Sequence, residues 1–146
     1  MTWFNPATLA SLDHIDRAAW EALCDGCGIC CLYKVRAPYD PKTSLTCIAC
    51  RYLDLQTCGC RVYEHRHDLM PTCLDLIPAN VRQLTWLPET CAYRRIAEGK
   101  PLPWWHHLRS RKRDLVHRLG ISVHGIAISE KDMDLNDLQK YTMQPW

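Results

Sequence analysis

Hydrophobic positions along this chain fall in short runs that are often interrupted, with nine proline and six glycine residues among 146. Asp16 is placed to cap a helix that runs from Arg17 to about Cys24 and carries Trp20 and Leu23 on one face. The residues before Asp16 show no comparable pattern. We therefore predict a loosely ordered arm over residues 1–15 and a single domain over residues 16–146.

Alternation of apolar and polar residues predicts three strands. Residues 31–35 (CLYKV) indicate a short strand, and residues 44–50 are expected to return as a second one. Two prolines and an aspartate within residues 38–41 mark the turn between them. A late strand is expected over residues 121–129 (ISVHGIAIS), where the alternation resumes.

Proline and glycine positions predict several short helices between these strands. The best framed covers residues 88–98, with Pro88 at its start and Gly99 just beyond its end. Residues 100–108 (KPLPWWHHL) indicate a loop, and Gly59 is expected to tighten another at residues 57–61. Further helical segments are predicted over residues 61–69, 78–84, 114–119 and 132–141.

Composition and charge narrow the functional classes. The net charge of +2 is too small to indicate a nucleic-acid or membrane partner, and the basic segment 106–118 is interpreted as a solvated helix face. Residues 1–15 lack the features of a signal peptide, and no run approaches 18 apolar residues. A cytoplasmic location follows as an expectation. Thiols stay reduced there, so ten cysteines favour metal binding over a disulfide scaffold.

The strongest motif is CDGCGICC, which places Cys24, Cys27, Cys30 and Cys31 in one loop. Its glycines permit backbone conformations in which several thiols converge. The first three spacings match the bacterial ferredoxin run C-x₂-C-x₂-C-x₃-C-P, but no C-P follows Cys30. Because adjacent cysteines rarely ligate one metal ion together, Cys31 is expected to serve a second site or to be a structural thiol.

Downstream cysteines provide enough further thiolates for two four-ligand sites. Single members of this group can also be buried inert thiols, which is the alternative for Cys47, Cys73 or Cys91. His65 and His67 are weaker candidates, and a solvated helix face is the preferred interpretation for them. The downstream candidate cysteines are Cys47, Cys50, Cys58, Cys60, Cys73 and Cys91.

All-thiolate ligation suits three metals or metal groups. An iron–sulfur cluster of the [4Fe–4S] type is preferred because of the triple spacing with a glycine after the second cysteine. Zinc is the alternative, since it takes four ligands and often uses paired C-x-x-C motifs. Cu(I) is a third candidate. The predicted fold class is thus a small α+β domain, with short helices, a few short strands and irregular loops organised around cysteine-ligated metal.

The sequence resembles the CxxCxxCC cysteine-cluster family (YkgJ-type), which is associated with zinc or iron chelation, and within it the YcgN-like bacterial branch. The resemblance rests on W-E-x-L-CDGCGICC over residues 20–31, C-R-V-Y-E-x-R over 60–66, W-L-P-x-T-C-A-Y-R over 86–94, and E-G-K-x-L-P-x-W-H over 98–106. It implies that Cys47 is an addition in this chain. The family cysteines it implies are Cys24, Cys27, Cys30, Cys31, Cys50, Cys58, Cys60, Cys73 and Cys91.

Three roles follow from these patterns. The first is a redox or accessory role built on an iron–sulfur cluster, with metal ions and a protein redox partner as binding partners. The second is a zinc-stabilised binding module, and the third is a protein that buffers or delivers iron or copper. The chain has no nucleotide-binding, P-loop, G-x-S-x-G or H-E-x-x-H motif that would assign an enzymatic activity.

Overall fold

The computed structural model describes residues 15–36, 39 and 42–143. Helix α1 spans Arg17–Glu21 and follows Asp16, whose side chain makes no cap hydrogen bond. The helix ends before the predicted Cys24, because Leu23 and Cys24 donate to carbonyls three residues back and tighten the last turn. Its buried face carries Trp20, as predicted. The predicted arm lies outside the described residues, except for Ile15.

The three strands form one small sheet in the order β1-β2-β3. Strands β1 (Leu32–Arg36) and β2 (Thr43–Ala49) are antiparallel and lie within a residue of the predicted segments. The turn predicted between them falls largely outside the described residues. Strand β3 is only Ile128–Ser129 and runs parallel to the end of β2. The late strand predicted over residues 121–129 was therefore wrong for most of its length.

Hydrogen bonds explain why the late segment is not extended. Ile126 and Ala127 both donate to the carbonyl of Val123, which curls the chain into a turn. Gly125 completes the turn with φ 78°. Local turn bonds thus replace strand pairing until Ile128.

The helices are shorter than predicted, although most lie in the expected places. The segment 78–84 contracts to one 3₁₀ turn, and the helix predicted over 88–98 begins only at Ala92, with Cys91 as its N-cap. The loop predicted over 100–108 contains the start of α4, and the final acidic segment is 3₁₀ rather than α-helical. The α-helices after α1 are α2 (Arg66–Leu69), α3 (Ala92–Ala97), α4 (His107–Ser110) and α5 (Leu115–Arg118). The 3₁₀ helices are Ile29–Cys31, Tyr63–His65, Val81–Gln83, Glu130–Asp132 and Leu135–Tyr141.

Two clusters of buried side chains form the core. One packs α1 against α3 and is centred on Trp20, Leu23, Tyr93 and Ile96. The other lies against the sheet and includes Ile29, Leu32, Leu45, Ala49, Leu53, Cys58 and Val123. Residues 24–28 connect the two clusters, so both hold the cysteine loop. The fold is the small mixed α+β class that the sequence predicts.

Glu130 links the sheet to the segment that follows Cys50. Its side chain is 1% exposed and accepts a hydrogen bond from the Tyr33 hydroxyl on β1 and one of 2.6 Å from Arg51 Nε. Burial alone would raise the pKa of Glu130, but these hydrogen bonds hold it below its ordinary value. The carboxylate therefore stays ionised and fixes Arg51, which directly follows Cys50. Among the described helices, none has the length and apolar character needed to cross a membrane.

Candidate metal centre

Hydrogen bonds and two glycines give the loop from Cys24 to Cys31 its curled shape. Asp25 Oδ1 accepts the N–H of Cys27 at 3.0 Å, and the carbonyl of Cys27 accepts the N–H of Val123 at 2.9 Å. Gly26 and Gly28 both adopt left-handed conformations, with φ of 79° and 76°. These φ angles favour glycine over any residue with a Cβ. The sequence therefore curls here in the way that the motif predicts.

Six cysteines line one cavity of about 590 Å³. Aromatic side chains form part of its wall, among them Trp20, Tyr63 and Tyr93. Cys24 and Cys30 are exposed as residues, although protein atoms surround their sulfurs. The cavity thus collects thiols from both the N-terminal motif and the downstream group. The cysteines that line it are Cys24, Cys30, Cys31, Cys58, Cys60 and Cys73.

Backbone N–H groups point at several of the sulfurs. Burial raises the pKa of the Cys24 thiol to about 12, and the N–H of Gly26 opposes that rise by donating to the sulfur. Such a bond stabilises the charged thiolate over the thiol, and hydrogen bonds to sulfur also tune bound metal centres. In three further cases the backbone N–H two residues after a cysteine donates to its sulfur. These are the N–H groups of Ile29 to Cys27, Tyr52 to Cys50 and Tyr93 to Cys91.

Cys30 and Cys31 share a hydrogen bond between their thiols. That bond lowers the pKa of Cys30 to about 7 against the effect of burial, with Lys34 lowering it further. The same bond raises the pKa of Cys31. Cys30 is therefore the thiol of this pair that ionises more readily, and thiolates are the form that binds metal.

Lys34 brings a positive charge to this group. Its Nζ donates to the carbonyls of Cys30 (2.9 Å) and Leu32 (2.8 Å) and lies 4.1 Å from the centroid of the Trp86 ring. Burial lowers the pKa of Lys34, whereas the charges of nearby cysteines, Cys30 first, act in the opposite sense. A partly buried ammonium beside thiols favours their ionised form.

Cys58 is the most deeply buried of the cysteines. It is 3% exposed, and its sulfur is hydrogen-bonded by the Ser122 hydroxyl and the backbone N–H groups of Val123 and His124. Burial nevertheless raises its pKa. Gly59 was expected to tighten this loop, but the residue that adopts the left-handed conformation is Cys58, with φ 60°. Cys58 thus lines the cavity but has its own set of donors.

The weaker candidates lie elsewhere. Cys47 is half-buried on β2, and His65 and His67 are exposed on the short helices that precede and form α2. None of these three lines the cysteine cavity as the described residues form it. The solvated face that the sequence favours for His65 and His67, and the inert thiol that is the alternative for Cys47, remain predictions.

The donor set fits a thiophilic metal. Within the part of the chain that the structure describes, no three His, Cys, Asp or Glu side chains are close enough to hold one metal ion. Soft thiolates and N–H groups directed at sulfur are nevertheless the environment in which iron–sulfur clusters and zinc are bound. Asp25 adds a buried carboxylate oxygen, Oδ2, that has no hydrogen-bond partner beside the first two thiols of the motif.

His106 and His107, which the sequence did not single out, contact the backbone just before the cysteine motif. His106 Nδ1 accepts the N–H of Leu108, so its Nε2 carries the proton and donates to the carbonyl of Leu23 at 2.8 Å. The His107 ring stacks on it, with ring centroids 4.3 Å apart, and its Nε2 lies 3.0 Å from the carbonyl of Ala22. Their only sequence signal is the K-x-L-P-x-W-H element. Together they fix the backbone immediately before Cys24.

Protonation of His106 should make stability depend on pH. The side chain is fully buried, and burial lowers its pKa to about 4 from an ordinary 6.5. Between these values the unfolded chain binds a proton that the folded chain does not, so the free energy of unfolding should fall as pH drops from about 6.5 to 4. The full contribution is about 3 kcal/mol. Urea titrations across this range measure it.

The variant His106→Gln is the control for this pH dependence. Its amide can still donate to the Leu23 carbonyl but does not titrate. The difference in slope between the two proteins isolates His106 from acid-induced loss of metal, which affects both. Parallel pH profiles would contradict the assignment.

Comparison with known proteins places these features in a family. Residues 23–92 match the CxxCxxCC model, described as a "putative zinc- or iron-chelating domain". A UPF0260 protein of Pseudomonas entomophila is 47% identical over 90% of this chain and 88% of its own length, and one of Sinorhizobium medicae is 44% identical over 91% and 86%. A third, from Gluconacetobacter diazotrophicus, is 49% identical over 83% and 76%. No solved structure matches. By identity and coverage, this chain belongs to the UPF0260 family of CxxCxxCC proteins.

Proposed function

We propose that this protein holds an iron–sulfur cluster through cysteines of the CxxCxxCC motif and the downstream segment, and that it has a redox or accessory role in the cytoplasm. The observation that carries the proposal is the gathering of six cysteines from separate segments around one cavity. The family's description as a zinc- or iron-chelating domain supports a metal of this kind. When bound, such a cluster supplies one-electron transfer, which implies a protein partner that gives or accepts the electron.

The chain's own residues would bind and tune the centre. N–H groups such as those of Gly26 and Ile29 stabilise thiolate charge. Lys34 offsets part of the negative charge that several thiolates bring together. The aromatic wall, including Trp20 and Tyr93, limits water at the centre, and burial of this kind sets the potential of a cluster.

Anaerobic purification followed by a visible spectrum and analysis of iron, sulfide and zinc tests the proposal. We expect brown protein with broad visible absorbance that bleaches in air, and iron and sulfide in matching amounts. Colourless protein with stoichiometric zinc that unfolds on chelation would overturn the cluster in favour of a zinc-stabilised binding module. Readily exchangeable iron or Cu(I) would favour a metal-delivery role. Folded protein without stoichiometric metal would overturn metal binding altogether.

A further inference from the structure

Eight of the cysteines fall into two neighbouring groups of four, and this inference rests on the proposed metal-binding function. We propose that the chain has two separate metal centres, which meet at the peptide bond between Cys30 and Cys31. The first centre comprises Cys24, Cys27, Cys30 and Cys91. The second comprises Cys31, Cys50, Cys60 and Cys73.

Packing of α3 against α1 brings Cys91 to the first group. The Tyr93 ring lies 4.6 Å from the Trp20 ring, and its hydroxyl donates to the carbonyl of Glu21 at 3.5 Å. Cys91 is the N-cap of α3, two residues before Tyr93, while Cys24 follows Glu21 by three residues. This packing therefore brings the last cysteine of the chain towards the first. Its charge acts on the Cys24 thiol, as does that of Cys30.

Backbone pairing assembles the second group. The N–H of Cys50 donates to the carbonyl of Cys31 at 2.9 Å, where the end of β2 meets the start of β1. The chain then folds back through a bridge between Leu53 and Cys60. Cys31 and Cys60 line the same cavity, and the charges of Cys50 and Cys60 act on the Cys31 thiol. Three thiols of the second centre thus come from three segments that are joined by two backbone pairings.

Cys73 completes the second group from the segment after α2. It lines the cavity with Cys31 and Cys60. Among the cysteines, the charge of Cys30 acts on its thiol most, followed by those of Cys60 and Cys50, so Cys73 borders both groups. It is assigned to the second because Cys91 already supplies the fourth thiol of the first. Because no three of the described ligand side chains are at single-ion distance, the proposal requires the thiols of each group to move closer together when metal binds.

The adjacency of Cys30 and Cys31 explains why two centres fit better than one. Neighbouring residues rarely ligate one ion together, and the CxxCxxCC motif contributes three thiols to one group and its last thiol to the other. Cys58 and Cys47 belong to neither group: Cys58 is hydrogen-bonded by residues 122–124, and Cys47 lies on β2. The odd spacing of the motif is then a consequence of serving two sites.

Metal counting in paired variants tests the inference. Cys91→Ser removes a ligand from the first centre and Cys60→Ser one from the second, and each should retain about half of the wild-type metal per chain after anaerobic purification. The double variant should retain none, and Cys47→Ser should retain all. Native mass spectrometry resolves half-loaded chains, and circular dichroism verifies that each variant is folded. Cys24→Ser and Cys73→Ser, at thiols that line the open cavity, replace any variant that does not fold.

The outcomes separate this inference from metal binding itself. Wild-type protein without metal would end the proposed function. Wild-type protein with metal sufficient for one centre would leave that function standing and overturn the second centre. The pairing would also be overturned if Cys91→Ser and Cys60→Ser each lost all metal, or if either lost none. Because metal is counted whatever its identity, the test applies equally to clusters and to zinc.

Discussion

Replacing Cys27 with serine should remove bound metal from the CxxCxxCC loop and lower the melting temperature by about 10 °C or more. Metal binding to thiolates is linked to folding in small metal domains, so losing a ligand loses much of that free energy. Cys27 also holds the loop, with its N–H bonded to Asp25 and its carbonyl to Val123. A serine keeps these backbone bonds but replaces a soft sulfur ligand with a hydroxyl.

Calorimetry and metal analysis on the same samples measure this effect, with Cys47→Ser as the matched control. Cys47 undergoes the same chemical change on β2, outside the cavity, and its melting temperature and metal content should stay close to those of the parent. Equal losses in the two variants would show that sulfur packing, rather than metal ligation, explains the effect. Full metal retention by Cys27→Ser would remove Cys27 from the ligand set.

Replacing Gly28 with alanine should lower the free energy of unfolding by about 3 kcal/mol and reduce metal loading. Gly28 has φ 76°, where a Cβ is unfavourable by about 1–2 kcal/mol. A Cβ there would also lie 2.8 Å from Val123 Cγ2 and 3.2 Å from Cys58 Cβ, so the core beside the motif must move. Overpacking of this kind adds about 1–3 kcal/mol. Because Gly28 separates Cys27 from Cys30, the displacement reaches the thiols.

Gly26→Ala is the control for that substitution. Gly26 has a similar φ of 79°, but an added Cβ would meet nothing within 4 Å. Gly26→Ala should therefore lower the free energy of unfolding only by the cost of a Cβ at a left-handed φ, about 1 kcal/mol. Urea titration of both variants separates strain from collision. If the two alanine variants were equally destabilised, the collision of the added Cβ with Val123 and Cys58 would not contribute to the loss of stability.

Local signals in the sequence predicted the elements whose stability is local. Strands β1 and β2 alternate clearly, and α5 lies between Asp114 and Gly120, so their positions were predicted within about two residues. The late strand failed because Val123 accepts two turn hydrogen bonds and packs under Gly28, contacts that alternation does not encode. The helix predicted from Pro88 began only at Ala92, since Cys91 is the N-cap.

The candidate site was partly predictable for the same reason. The spacing of the cysteines identified Cys24, Cys30 and Cys31 as a group, and the structure brings them to one cavity. The role of His106 depends on the carbonyl of Leu23, which lies 83 residues away along the chain, and nothing local marks that contact. Lys34 donates to the carbonyl of Cys30 only four residues back, but the alternation of a strand does not show that its side chain turns towards the motif. Likewise, Cys91 is brought towards Cys24 by the packing of Tyr93 on Trp20, which needs the tertiary fold.

The fluorescence of Trp20 should report whether the cysteine-lined cavity holds a metal cluster. Its indole is 4% exposed, is anchored through Nε1 to the carbonyl of Leu76 at 2.9 Å, and borders the cavity together with Cys24 and Cys30. An iron–sulfur cluster held in this cavity would absorb near-ultraviolet light and accept excitation energy from the Trp20 ring. Emission should therefore dim as the cavity fills and recover as it empties, which allows loading to be followed in real time without an added dye.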